Sequence, residues 1–233
     1  MTGPIASERI RRRELLRRAG VYLVTEESLS VGRRSERIVE AALESGVRVI
    51  QVREKDGSAR RALEIALAVR RLTRRYDALL IVNDRIDVAI AAEADGVHLG
   101  QADLPVATAR RLLGEAALIG LSITDAAQMG APDAVLADCL GVGAVFPTGS
   151  KTDATLTGLP LLAAIRAVEA TSGAPIVAIG GIDAENAGAA IRAGADLVAV
   201  ISAVTAAPDP GRAAAELLAA VRTASATPTG SPR

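Results

Sequence analysis

The residues best equipped for chemistry in this chain are carboxylates and cations that follow short apolar runs. Asn83 and Asp84 come directly after ALLIV, a run apolar enough for a fully buried strand. Asp103 follows in the next such unit, after HLGQA. One aspartate behind a strand commonly caps the next helix. Two at neighbouring strand ends also make a donor set for magnesium, which takes one or two carboxylates and completes its shell with water and phosphate oxygens. Gln51, Arg53 and Lys55 alternate through QVREK and share one face, with Val52 and Glu54 on the other. Together with Ser122 and Lys151 they form a cationic set suited to a polyanion. A third group is Gly180-Gly181 with Ile201-Ser202, where glycine lets backbone N–H groups approach an anion closely. The chain thus offers one metal-assisted and one backbone-built anion site.

These residues need a scaffold that brings strand ends together. Strands are expected at Val21–Thr25, Val47–Val52, Ala78–Asn83, Gly96–Leu99, Ala117–Ser122, Cys139–Phe146, Pro175–Gly180 and Leu197–Ser202. Most are continuous and β-branched, as suits parallel strands covered on both faces. Helical segments lie between them. Ser35 is expected to cap Glu36–Glu44, with Gly46 closing it, and Ser58 to open a helix to about Arg75. Asp125 and Gln128 have the spacing of a capping box. Further helices are expected at Leu159–Thr171, Ala184–Ala193 and Pro210–Val221. Eight β/α units in 233 residues match a TIM (β/α)8 barrel. An open doubly wound sheet is the alternative, but no Gly-x-Gly-x-x-Gly follows the first strand. The expected organisation is a basic helix over residues 1–20, a barrel over 21–223 and a disordered tail over 224–233. In a barrel, polar residues at strand C-termini are active-site candidates.

Composition excludes several other classes. Lys plus Arg and Asp plus Glu both number 27, so no global charge draws the chain to nucleic acid or a membrane. Aromatic residues make up 1%, too few for base-stacking surfaces. The single cysteine, Cys139, can form no intrachain disulfide and reads as a small buried hydrophobe. No apolar run spans a bilayer, and the Arg-rich start lacks a signal-peptide core, so a cytoplasmic protein is expected. Ile10, Leu15 and Leu16 are the residues that would dock the first helix. The one histidine, His98, is assigned to structure rather than chemistry, and no Ser-His-Asp or Cys-His set can be assembled.

Longer strings add a family resemblance. QVREK (51–55), IVNDRIDVAIAAEADGVHLGQADLP (81–105), GLSIT (120–124), GVGAVFPTGSKTD (141–153) and AIGGI (178–182) resemble thiamine-phosphate synthases, from about Tyr22 to Ser202. The resemblance implies a TIM barrel that joins a hydroxymethylpyrimidine diphosphate to a hydroxyethylthiazole phosphate, with pyrophosphate released. It implies that Gln51, Val52, Arg53, Glu54, Lys55 and Asn83 line the pyrimidine diphosphate site, with Ser122 and Lys151 also in contact. Asp84 and Asp103 would hold one Mg2+. Thr148, Gly149, Ser150, Gly181, Ile201 and Ser202 would hold the thiazole phosphate. Arg53, Lys55, Lys151 and Ser122 would act on the leaving diphosphate in a dissociative substitution. Partners would be these small molecules, with no nucleic acid or membrane, and the oligomeric state stays open.

The family often has Thr where this chain has Ser150, and Tyr and Pro where it has Cys139 and Ala144. A thiazole tautomerase of the same fold is the nearest alternative. Such proteins look to use a histidine after strand five, where this chain reads GLSITDAAQ. A non-catalytic thiamine-phosphate-binding regulator is the other, and it would be expected to have lost Lys151 or an aspartate. Residues 147–158, rich in Gly and Thr, are expected to close over the site.

Overall fold

The computed structural model describes residues 4–55, 57–149, 156–169 and 173–226. The elements run α1 (Pro4–Arg18), β1 (Val21–Thr25), α2 (Ser35–Glu44), β2 (Val49–Val52), α3 (Ala59–Arg75), β3 (Leu79–Asn83), α4 (Ile86–Ala91), β4 (Gly96–Leu99) and α5 (Val106–Leu113). They continue β5 (Leu118–Ile123), α6 (Pro132–Leu136), β6 (Cys139–Val142), α7 (Gly158–Glu169), β7 (Ile176–Ile179), α8 (Ala187–Arg192), β8 (Leu197–Val200), α9 (Ser202–Thr205) and α10 (Pro210–Ala226). The eight strands pair in sequence order and close, β1 against β8, all in parallel. The fold is a TIM barrel.

Period two along each strand builds two apolar layers. Leu23, Ile50, Val52, Leu80 and Val82 face outward and pack under the helices with residues such as Ile38, Ile65 and Leu162. Tyr22, Val24, Val49, Leu79, Ile81, Leu118, Cys139, Val177 and Leu197 face inward and fill the barrel. Each large side chain fully buried in these layers contributes about 1.5–3 kcal/mol. Since register pairs Val24 with Gln51, Gln51 with Ile81 and Ile81 with Gly96, the inward face carries Gln51 and, one step on, Asn83 and His98.

The basic first helix closes the N-terminal mouth. Leu16 is buried against the inner layer, whereas Ile10 faces solvent, contrary to its expected docking. Leu15 packs against the same layer, and charge adds to this docking. Arg9 Nε donates to Asp138 at 2.8 Å, and Arg12 lies 3.0 Å from Asp95. Both carboxylates are buried just before a strand, and each also accepts a backbone N–H, from Ile119 and Leu80 respectively. Asp196 repeats the arrangement before β8, accepting the Ile176 N–H and an Arg166 guanidinium. Buried charge is tolerable at Asp95 and Asp138 because both oxygens of each are bonded.

Several expected features shift. Ser35 does not cap α2: Arg34 holds the cap position, and the Ser35 hydroxyl is a buried group with no partner among the described residues. Ser58 does cap α3, accepting the Arg61 N–H. The Asp125–Gln128 capping box forms, but on a 3-10 turn over Ala126–Gly130 rather than an α-helix. Strand six stops at Val142, and residues 143–146 instead run along β7, with Val145 and Phe146 donating to Ile179 and Gly180. The last helix continues to Ala226, past its expected end at Val221 and into the segment expected as tail from 224. Residues 170–171 and 227–233 lie outside the described residues.

Candidate active site

The C-terminal ends of the strands surround a cavity of about 800 Å³. Its acidic corner is made by β3 and the turn after β4. Asp84 sits at φ +59°, where its N–H reaches the His98 carbonyl at 2.9 Å. Aspartate and asparagine tolerate this left-handed region better than most residues. Asp103 closes its own turn, its Oδ2 accepting the Gly100 N–H at 2.6 Å. The two carboxyls come within hydrogen-bonding reach. Burial, reinforced by the charge of Asp103, pushes the Asp84 carboxyl up to about 6, against the pull of Lys55 and a hydrogen bond from Asn83. Two carboxylates this close repel each other when both are ionised, and a cation between them would relieve that repulsion. Among the described residues no three His, Cys, Asp or Glu side chains gather to hold a metal. Two carboxylates by themselves fit a hard cation whose shell would be finished by water and substrate oxygens.

The cationic side comes from β2 and the segment after it. Gln51, Arg53 and Lys55 all line the cavity. Gln51 is nearly buried, and its amide donates to the Tyr22 hydroxyl at 2.8 Å. The Arg53 backbone N–H bonds the Thr25 carbonyl, and its guanidinium pairs with Glu26, with both side chains almost closed from solvent. Glu26 was missed in the sequence, although it follows β1 as directly as Asp84 follows β3. Val52 and Glu54 do not line the cavity. Val52 is 2% exposed in the layer beneath the helices, and the Glu54 side chain lies over Gly57. The strand alternation that aims Gln51 and Arg53 inward turns their neighbours away.

Ser122, on β5, lines the cavity beside His98. The serine Oγ and the histidine Nε2 are 3.0 Å apart, and Gln101 donates to the Ser122 carbonyl at 2.7 Å. His98 was assigned to structure from the sequence, yet it borders the site. Burial pushes its imidazole down to about 4, despite the upward pull of Asp103, so the ring is neutral near pH 7.

The opposite wall is backbone. Gly180 and Gly181 have φ of +100° and +64°. A Cβ on Gly181 would lie 2.3 Å from the Pro147 carbonyl oxygen, and one on Gly180 would lie 2.6 Å from Ala144 Cα. Glycine is therefore required by both conformation and space. Asn186 pins the turn by donating to the Gly181 carbonyl at 2.8 Å. Beside it, Ile201 follows β8 at the cap position of α9, and Ser202 begins that helix; both line the cavity. Thr148 and Gly149 complete this wall. Ser150 and Lys151 lie outside the described residues. Thr157 anchors the far end of that connection to the Ala144 carbonyl, through its N–H at 2.8 Å and its hydroxyl at 3.1 Å.

Comparison with known proteins agrees with the resemblance of the strand-end motifs. The sequence pattern described as "Thiamine monophosphate synthase" matches residues 21–204. A thiamine-phosphate synthase of Haloarcula marismortui is 51% identical over 205 residues, which cover 86% of this chain and 96% of the relative. One from Chloroflexus aurantiacus is 50% identical over 204 residues, covering 86% and 92%. A solved thiamine phosphate pyrophosphorylase from Pyrococcus furiosus superposes with a TM-score of 0.80 at 38% identity, covering 92% of this chain and 98% of that one. With this fold, these strand-end residues and relatives aligned over nearly their full length, the chain belongs to the thiamine monophosphate synthase family.

Proposed function

We propose that this chain is a transferase that joins 4-amino-2-methyl-5-hydroxymethylpyrimidine diphosphate to 4-methyl-5-(2-hydroxyethyl)thiazole phosphate, yielding thiamine phosphate and pyrophosphate. The observation that carries this reading is a single cavity with two dissimilar anion-binding ends. One end presents Asp84, Asp103, Arg53 and Lys55, and the other the glycine backbone at 180–181 and the start of α9. A diphosphate suits the first and a monophosphate the second.

In the reaction, the bond between the pyrimidine methylene and the diphosphate oxygen breaks, and its electron pair leaves with the diphosphate. The electron-rich aminopyrimidine ring stabilises the resulting methylene cation. The thiazole nitrogen then gives its lone pair to that carbon, forming the C–N bond of the thiazolium product. Arg53 and Lys55 face the leaving group and offset its growing charge, and the Ser122 hydroxyl borders the same space. Lys151 is assigned to this task by motif alone. Asp84 and Asp103 would hold Mg2+, which supplies further neutralisation of the leaving diphosphate. Gln51 offers an amide to the aminopyrimidine edge. Thr148, Gly149, Ser150, Gly181, Ile201 and Ser202 hold the thiazole phosphate and so aim the ring nitrogen. No proton is transferred in the bond exchange, which accounts for a site built of cations and carboxylates rather than a histidine base. Electrostatic groups aimed at developing charge contribute about 3–4 kcal/mol each.

Among the described residues no helix is long and apolar enough to cross a membrane. Both substrates are phosphorylated and do not cross bilayers unaided, which supports a cytoplasmic location. The test is to mix purified protein with both substrates and Mg2+ and follow thiamine phosphate as its fluorescent thiochrome. Product that disappears on chelation is expected. Folded protein that forms no product, or only isomerises the thiazole ring, would overturn the reading.

A further inference from the structure

His98 has no part in that bond exchange, yet its imidazole lies at the cavity wall of a reaction that needs no base. Its surroundings are specific. The ring occupies space that two glycines leave open on β5 and β6. A Cβ on Gly120 would lie 2.4 Å from Nδ1, and a Cβ on Gly141 would lie 2.8 Å from Cε1 and 3.0 Å from Nε2. Register places His98 beside Gly120, and Ser122 beside Gly141, so ring and hydroxyl are set by strand pairing rather than by a loop. Nε2 is 3.0 Å from the Ser122 Oγ. Nδ1 is closed from solvent and has no hydrogen-bond partner among the described residues.

The two nitrogens are therefore unequal. A proton on Nδ1 would be a buried donor pressed against the Gly120 methylene, with no acceptor in reach. A bare Nδ1 lone pair facing a C–H costs far less. The proton then belongs on Nε2, which donates to the serine oxygen. A hydroxyl that accepts at its oxygen keeps its own hydrogen to donate elsewhere. The open side of Ser122 is the cavity.

We propose that His98 is a positioning residue for Ser122: held as the Nε2–H tautomer between Gly120 and Gly141, it occupies the hydroxyl's acceptor side and turns its O–H toward an anionic oxygen of the substrate in the cavity. In the opposite tautomer Ser122 would spend its hydrogen on the ring and present only lone pairs to an anion. The role rests on the coupling reaction proposed above, because the anion it serves is the leaving diphosphate.

His98 is the chain's only histidine, so uniform 15N-histidine labelling of the full chain gives one imidazole to observe. At pH 7.5 without substrate, a protonated Nε2 and a bare Nδ1 are expected, and a protonated Nδ1 would overturn the proposal. Kinetics supply the second arm. His98→Leu should lower kcat about tenfold or more while changing either KM by less than about threefold. His98→Gln, which can still donate to Ser122, should recover most of that loss. In a Ser122→Ala background His98→Leu should cost little more, since it acts through the missing hydroxyl. Independent, additive losses would overturn the proposal, as would a His98→Gln variant that is folded by thermal unfolding yet no better than His98→Leu. If wild-type protein itself makes no thiamine phosphate, the reaction assignment fails, and the NMR arm still judges the tautomer.

Discussion

Asp84→Asn separates the cost of the carboxylate pair from its use. The substitution keeps shape and suits φ +59°, whereas alanine would add backbone strain. In the folded chain the Asp84 carboxyl is raised from 3.8 to about 6, first by burial and then by Asp103. By linkage, its ionisation is about 3 kcal/mol less favourable in the fold than in the unfolded chain, and partial access to water reduces this to about 1–2 kcal/mol. The sign follows from the raised value. Asp84 favours the fold below about pH 4, and that contribution is lost as pH rises through 6. Metal-free Asp84→Asn should therefore be more stable than wild type at pH 7.5, with Tm higher by about 2–6 °C, and the gain should vanish near pH 4. Mg2+ alone should raise the Tm of wild type above pH 6 and leave the variant unmoved. Turnover with both substrates should fall about 100-fold or more. Differential scanning fluorimetry with EDTA or Mg2+, run beside the thiochrome assay, measures all three. A variant less stable than metal-free wild type at pH 7.5 would refute the reasoning, since the carboxylate would then be held by favourable bonds rather than tolerated for a metal.

Other expectations follow from single contacts. Gly181→Ala puts a Cβ 2.3 Å from the Pro147 carbonyl in a left-handed turn, so KM for the thiazole phosphate should rise about tenfold or more while KM for the diphosphate changes little, by steady-state kinetics. Glu26→Gln releases Arg53 from its buried ion pair; kcat should fall severalfold, whereas an unchanged kcat would mean that Arg53 is held well enough by its other contacts. Asp138→Ala removes the acceptor of Arg9, Arg110 and the Ile119 N–H and should cost about 3–5 kcal/mol of stability in urea titration. Cys139, its thiol pushed up to about 12 by burial and then by Asp138, should resist iodoacetamide at pH 8 until the barrel unfolds, by mass spectrometry.

Much of the barrel was legible in the chain. Val21–Thr25 and Gly96–Leu99 match their expected bounds, because buried parallel strands appear as unbroken apolar runs between polar segments. Ile86–Ala91, Pro132–Leu136 and Ser202–Thr205 were not anticipated, since four to six residues show too little of a helical period to be recognised. The Ala-Asp pairs before β4, β6 and β8 passed unnoticed for another reason: their partners are arginines on other elements.

By itself, the sequence determined that Gln51, Arg53, Asp84 and Ser122 reach the mouth. Alternation along β2 sends Gln51 and Arg53 inward and Val52 outward, and strand ends deliver Asp84 and Ser122, because local geometry sets both. Only the tertiary structure decided what those residues meet. Asp84 finds Asp103, Arg53 finds Glu26 and Ser122 finds His98 because barrel closure and strand register bring separate β/α units together. Those meetings set charge, orientation and tautomer, which depend on distances between segments that no local pattern encodes.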